Sequence, residues 1–205
     1  MNQNDPRVKR TRQLLQQALM DLLQEKGLQA ITVQDIAERA TLNRATFYAH
    51  FTDKYDLIDT NMREGLQHAL ARQVPPGAAF STATLRTICR TVFEFMGQVP
   101  SHCLPGDERI GLMFDQAVQD VLQTFLARRL SHMPTAGGPW QASRETLTTV
   151  LSWAIFGAGV RWSRGPRTQS ADDLAAQVVA AMRGGIAAAL AESADRRPLA
   201  TSATR

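Results

Sequence analysis

The sequence predicts an all-α protein, and three observations carry that prediction. Ala, Leu, Gln, Arg and Glu are abundant among the 205 residues, and 44% of the chain is apolar, a composition that favours helix and supplies a real core. Apolar residues recur at helical spacing along most of the chain. Capping residues and Pro/Gly breakers punctuate those runs where helices would begin and end.

Asp5 and Pro6 read as the cap and first position of helix one. Val8, Leu15, Leu19 and Leu22 form its apolar stripe. Gly27 follows the last turn and is expected to end the helix in the left-handed conformation. Thr32 caps the second helix, with Asp35 three positions on as a loose capping box. Asn43 caps a third helix over roughly 44–51, and Thr52 or Asp53 caps a fourth toward Arg72. "VPPGA" (74–78) cannot continue a helix. Further helices are expected over 81–99, 108–132, 142–163 and 171–191, separated by "SHCLPGD", "MPTAGGPW" and "RGPRTQS". The division is then a three-helix unit at 1–53, a larger helical unit at 54–192 whose first helix (54–73) is a connector, and a disordered tail at 193–205.

No run of 18 uncharged apolar residues is present, which argues against a membrane span. The start, "MNQNDPRVKR", lacks a secretory apolar run, and two cysteines cannot build a disulfide framework. Both point to the cytoplasm. The net charge of +4 permits a nucleic-acid partner without identifying one. Residues 1–63 hold nine Lys/Arg against eight Asp/Glu, so placement matters more than total charge. The basic run "RVKRTR" (7–12) is either a solvated helix face or part of a phosphate-binding surface.

"TLNRATFYAHFTDK" (41–54) is the most informative stretch. At about 100° per residue, Phe47 and Phe51 share one helix face, and Ala45 and Ala49 lie roughly opposite. Arg44 and Tyr48 line one flank; Thr46 and His50 line the other. The phenylalanines would anchor a helix too short to stand alone. The alanines would let its backbone approach a groove, and the flanking groups can all bond phosphate oxygens. With the preceding helix and a short turn, this is a helix-turn-helix whose second helix enters the major groove.

"TVQDIAERATLNRATFYAHFTDKYDL" (32–57) resembles the DNA-binding signature of TetR-type bacterial transcriptional regulators, within a match spanning residues 7–60. The resemblance implies a homodimer with an N-terminal three-helix DNA-binding domain and a C-terminal helical ligand-binding and dimerisation domain. It places Thr32, Thr46, Tyr48, His50 and Lys54 where the family contacts the DNA backbone. Gln34, Arg44 and Ala45 fall where bases are read. Where the family usually has a turn glycine, this chain has Thr41. A left-handed threonine is costly, so a different turn geometry is expected.

The second half is read from composition. Ala154, Gly157, Ala158, Gly159, Ala175, Ala176, Ala180 and Ala181 let the last two long helices approach neighbours closely, and the resemblance implies that those helices pair two subunits. Phe95, Met96, Met113, Phe114, Trp153 and Phe156 are candidate walls of an effector pocket, whose ligand would be apolar or aromatic. Cys89 and Cys103 raise a redox-sensing reading, and His102, Cys103 and His132 a metal site, though no zinc-type spacing occurs and neither a metal nor a cofactor is expected. The function expected is a ligand-released repressor binding a near-palindromic operator. The alternative is a helical small-molecule sensor that does not bind an operator. No nucleophile–base motif, phosphate loop or acid pair suggests an enzyme.

Overall fold

The computed structural model describes residues 5–98, 108–131 and 143–195. Among these, all regular structure is helical: α1 (Pro6–Glu25), a 3-10 turn (Leu28–Ala30), α2 (Val33–Arg39), α3 (Arg44–Tyr48), α4 (Lys54–Gln73), α5 (Thr82–Gln98), α6 (Glu108–Ser131), α7 (Arg144–Arg164) and α8 (Ala171–Asp195). The loops expected at 101–107 and 133–140, with His102, Cys103 and His132, lie outside the described residues. α8 runs three residues into the segment expected as tail; 196–205 lie outside.

Local chemistry explains most of the starts. The Asp5 carboxylate accepts from the Arg7 N–H, with Pro6 at the first helical position. Thr32 and Asp35 form a reciprocal capping box. Asp53 caps α4 by accepting from the N–H groups of Tyr55 and Asp56, both at 2.8 Å. The end of α1 differs from expectation. Lys26 and Gly27 are both extended, Gly27 at φ −62°, so no left-handed cap forms. The chain must straighten there to enter the 3-10 turn, and a Cβ on Gly27 would meet nothing.

Two apolar cores divide the molecule. The first joins Leu15, Leu19, Leu22, Ile31, Ile36, Phe47, Phe51 and Leu57, and Ile110 of α6 enters it. The second is built by α4–α8 around Leu66, Leu70, Ile88, Val92, Phe93, Leu122 and Ile155. α4 serves both: Leu57 and Ile58 lie in the first, Leu66 and Leu70 in the second. Ion pairs tie the larger unit together, Arg63 to Asp120 at 3.0 Å and Arg164 to Asp115 at 2.7 Å. Gly159 is where α7 meets α5 most closely, since a Cβ there would lie 2.6 Å from Met96 Sδ and 3.1 Å from the Phe93 ring.

The turn between α2 and α3 answers the question posed by Thr41. Its φ is +56°, so threonine adopts the left-handed conformation and the expected departure in geometry is absent. The surrounding bonds impose it. Leu42 N–H reaches Ala37 O at 2.8 Å and Thr41 N–H reaches Glu38 O at 3.0 Å, the paired bonds of a Schellman cap. Leu42 also packs against the first core. These gains offset a left-handed penalty of about 1–2 kcal/mol. Thr41→Gly should therefore stabilise the protein by roughly 0.5–1 kcal/mol after the greater flexibility of unfolded glycine is subtracted. Urea denaturation checks this; an unchanged or lower midpoint would show that the threonine carries no strain.

Candidate nucleic-acid interface

α3 is held from below. Phe47 and Phe51 are 0% and 2% exposed, and their rings lie 5.8 Å apart. Helical hydrogen bonds continue past Tyr48, with Ala49 N–H on Ala45 O and Phe51 N–H on Phe47 O. The helix itself ends earlier than the expected residue 51, because Ala49 and His50 already form a turn. Asn43 caps its start through the Thr46 N–H at 2.7 Å.

The outward side is as thin as its alanines suggest. Arg44, Ala45, Tyr48 and Ala49 are exposed, Tyr48 by 50%. Arg44 donates to the Tyr48 hydroxyl at 3.3 Å, which leaves that hydroxyl free to donate outward. His50 is half-buried, and among the described residues its ring has no hydrogen-bond partner. Burial, then the nearby Arg12 guanidinium, lowers its pKa below the usual imidazole value. Arg12 lies 4.6 Å over the Phe51 ring, which brings the basic start of α1 beside the end of α3.

Other candidate contacts are engaged within the chain. The Thr32 hydroxyl donates to Asp35, and the Thr46 hydroxyl donates to Asn43. The Thr32 N–H and hydroxyl, with Lys26, hold the Asp35 carboxyl down to about 2. Gln34 is exposed and donates to Glu38. Lys54 is turned inward: its ammonium donates to Leu28 O at 2.9 Å and Ile31 O at 2.8 Å, with Gln29 O at 3.5 Å. An ammonium has three donors, so in this conformation Lys54 braces the α1–α2 turn and has no donor left for a phosphate. Sequence spacing could not show this, because the partners lie 23–26 residues away.

The decisive comparison concerns this same domain. A family model described as bacterial regulatory proteins, tetR family, matches residues 15–60. Residues 15–60 therefore resemble the DNA-binding domain of the tetR family. An uncharacterized HTH-type transcriptional regulator of Bacillus subtilis (strain 168), YxbF, is 48% identical over 59 residues. That match spans 28% of this chain and 16% of the relative's length, so it concerns the DNA-reading domain alone. Solved structures extend the likeness of fold over most of the chain. A TetR-family transcriptional regulator from Syntrophomonas wolfei superposes with a TM-score of 0.59 at 17% identity, over 95% of this chain and 99% of that one. Thermus thermophilus FadR, a TetR-family repressor solved with lauroyl-CoA, gives 0.57 at 19% identity over 85% and 94%.

The candidate effector residues differ in their surroundings among the described residues. Met96 and Phe114 are buried in the second core, and Phe95 stacks on Phe114 with centroids 6.0 Å apart. Phe95 also lines a cleft of about 210 Å³ with Thr91 and Arg72. Met113 is half-buried on α6. Trp153 is 57% exposed on the outer face of α7, edge-on to half-buried Phe156. Helical periodicity told apolar from polar sides but not which apolar side faces inward. Cys89 is fully buried, and burial pushes its thiol up to about 12, so it stays protonated and unreactive. No metal-binding group of His, Cys, Asp and Glu occurs among the described residues, and no described helix is long and apolar enough to cross a membrane.

Proposed function

We propose that the protein is a homodimeric cytoplasmic repressor that binds a near-palindromic operator through the major groove and is released by a small apolar or aromatic ligand. The observation that carries this reading is α3 itself, a bare alanine face with open donors on Arg44, Tyr48 and His50, held by two buried phenylalanines. Arg44 pairs with guanine O6 and N7, and Gln34 with adenine, at Ala45's close approach. Tyr48 and His50 bond phosphates, joined by Thr32 and Thr46 once their hydroxyls rotate. Lys54 contributes charge near the surface and fixes the turn behind it.

Dimerisation is supported by the outer faces of α7 and α8. Val150, Trp153 and Gly157 share one face of α7, and Val150 is 52% exposed. Ala180, Ala181 and Gly184 are exposed on α8, and Cβ atoms at Gly157 or Gly184 would meet nothing in one protomer. A two-fold axis there would set two reader helices one DNA turn apart, about 34–36 Å. An effector works by binding the DNA-incompetent state better; the lauroyl-CoA held by the Thermus thermophilus neighbour supports a ligand with a lipophilic body.

Selection of bound fragments from random DNA tests this. A palindrome with half-sites one turn apart is expected, and affinity should fall steeply with salt. Recovery of no enriched sequence would sink operator recognition. His50 gives a second expectation. A phosphate beside it raises its lowered pKa, so binding takes up protons and strengthens as pH falls through the DNA-bound pKa toward the free value. Imidazole NMR titration with and without operator measures both values; identical pKa values would remove His50 from the interface.

A further inference from the structure

A groove of about 490 Å³ runs between the second half of α4, the turn after it and the second half of α6. Its apolar wall includes Ala71, Val74, Val121 and Phe125, and its rim carries His68, Arg128 and Arg129. No Asp or Glu is among its lining residues. The volume is in the range of small-molecule sites, about 300–1,000 Å³.

The two arginines do different things. Arg129 is locked in place: its guanidinium donates to the carbonyls of Val74, Pro75 and Ala78 and lies 5.1 Å over the Phe125 ring. It therefore stands as a fixed positive wall on a rigid turn, its charge balanced by no carboxylate there. Arg128 is exposed, and among the described residues its guanidinium has no hydrogen-bond partner. His68 is exposed on the facing helix and is likewise unpartnered among those residues.

We propose that this groove binds a small amphipathic carboxylate with a flat aromatic body. The ring lies on the Ala71, Val121 and Phe125 wall, and the carboxylate takes the Arg128 fork, with His68 opposite. An Arg fork matches a carboxylate in bidentate geometry. The lining positions along α4 and its C-cap Val74 span 67–74, about 10 Å at 1.5 Å per residue, which suits one or two fused rings. The site lies apart from the aromatic residues singled out in the sequence. It deepens the ligand-response reading and rests on it only for its regulatory consequence.

Calorimetric titration of the full chain with 2-naphthoate and its neutral analogue 2-naphthamide tests the site. Saturable naphthoate binding is expected, with naphthamide at least tenfold weaker. Arg128→Gln, at an exposed position, should weaken naphthoate at least tenfold without lowering the melting temperature. Ala71→Trp should fill the groove and abolish binding. Absence of saturable naphthoate binding, equal affinity for the amide, or undiminished binding by Arg128→Gln overturns the proposal. Binding with the expected variant pattern but no change in operator affinity upholds the site and rejects ligand-driven release.

Discussion

Trp153→Asp is expected to convert the protein from dimer to monomer and to weaken operator binding by about 10²–10⁴-fold, the gain that linking two half-site contacts supplies. Trp153 is 57% exposed in one protomer, so the change leaves the protomer's own core intact. In a two-fold interface each such substitution occurs twice. A large aromatic contact is then replaced on both sides by a carboxylate that must lose its water or hold the helices apart. Light scattering after size exclusion reads the mass, and mobility shift reads the affinity. A retained dimer with unchanged melting temperature would move the subunit interface away from this face of α7. A monomer that binds operator with full affinity would instead break the link between dimerisation and DNA reading.

Lys54→Met should destabilise the DNA-reading domain by on the order of 2–4 kcal/mol, since hydrogen bonds to a charged group contribute about 1.5–3 kcal/mol each and the ammonium is removed from the Leu28 and Ile31 carbonyls. The methionine keeps much of the aliphatic stem, so packing loss is a small part of the effect. Denaturant unfolding followed by far-ultraviolet circular dichroism measures it. Operator affinity should also fall, because the α1–α2 turn and with it α2 and α3 lose their brace. The salt dependence distinguishes bracing from contact. Loss of a direct phosphate ligand lowers the slope of log K against log salt by about 1. A bracing residue leaves the slope unchanged. A reduced slope with unaltered stability would return Lys54 to the phosphate-contacting set.

Much of the helical frame of the candidate interface was legible because its signals are local. Asp5, Thr32, Asn43 and Asp53 satisfy orphan N–H groups two or three residues away, so their spacing marks where α1–α3 begin and leaves only Thr52 or Asp53 for α4. Phe47 and Phe51 at i, i+4 face inward as their angle requires. Ends were harder to read. Gly27 permits a left-handed cap but does not demand one, and the extended approach to the 3-10 turn prevailed. Thr41 shows the reverse: an unsuitable residue is held at positive φ by two backbone bonds and by burial of Leu42.

By itself the sequence determined the helical class, the order of the helices and the division of α3 into anchor, bare face and polar flanks. Each of these follows from interactions within a few residues, where 100° per residue and capping geometry leave little choice. Only the tertiary structure decided that Lys54 bends back to carbonyls 23–26 residues away, that Trp153 faces outward while Met96 is sealed under Gly159, and that Arg128 and His68 line the same groove. Those outcomes depend on how whole helices rotate and cross. Helix rotation is set by the summed packing of two cores, and no single stretch of chain contains that sum.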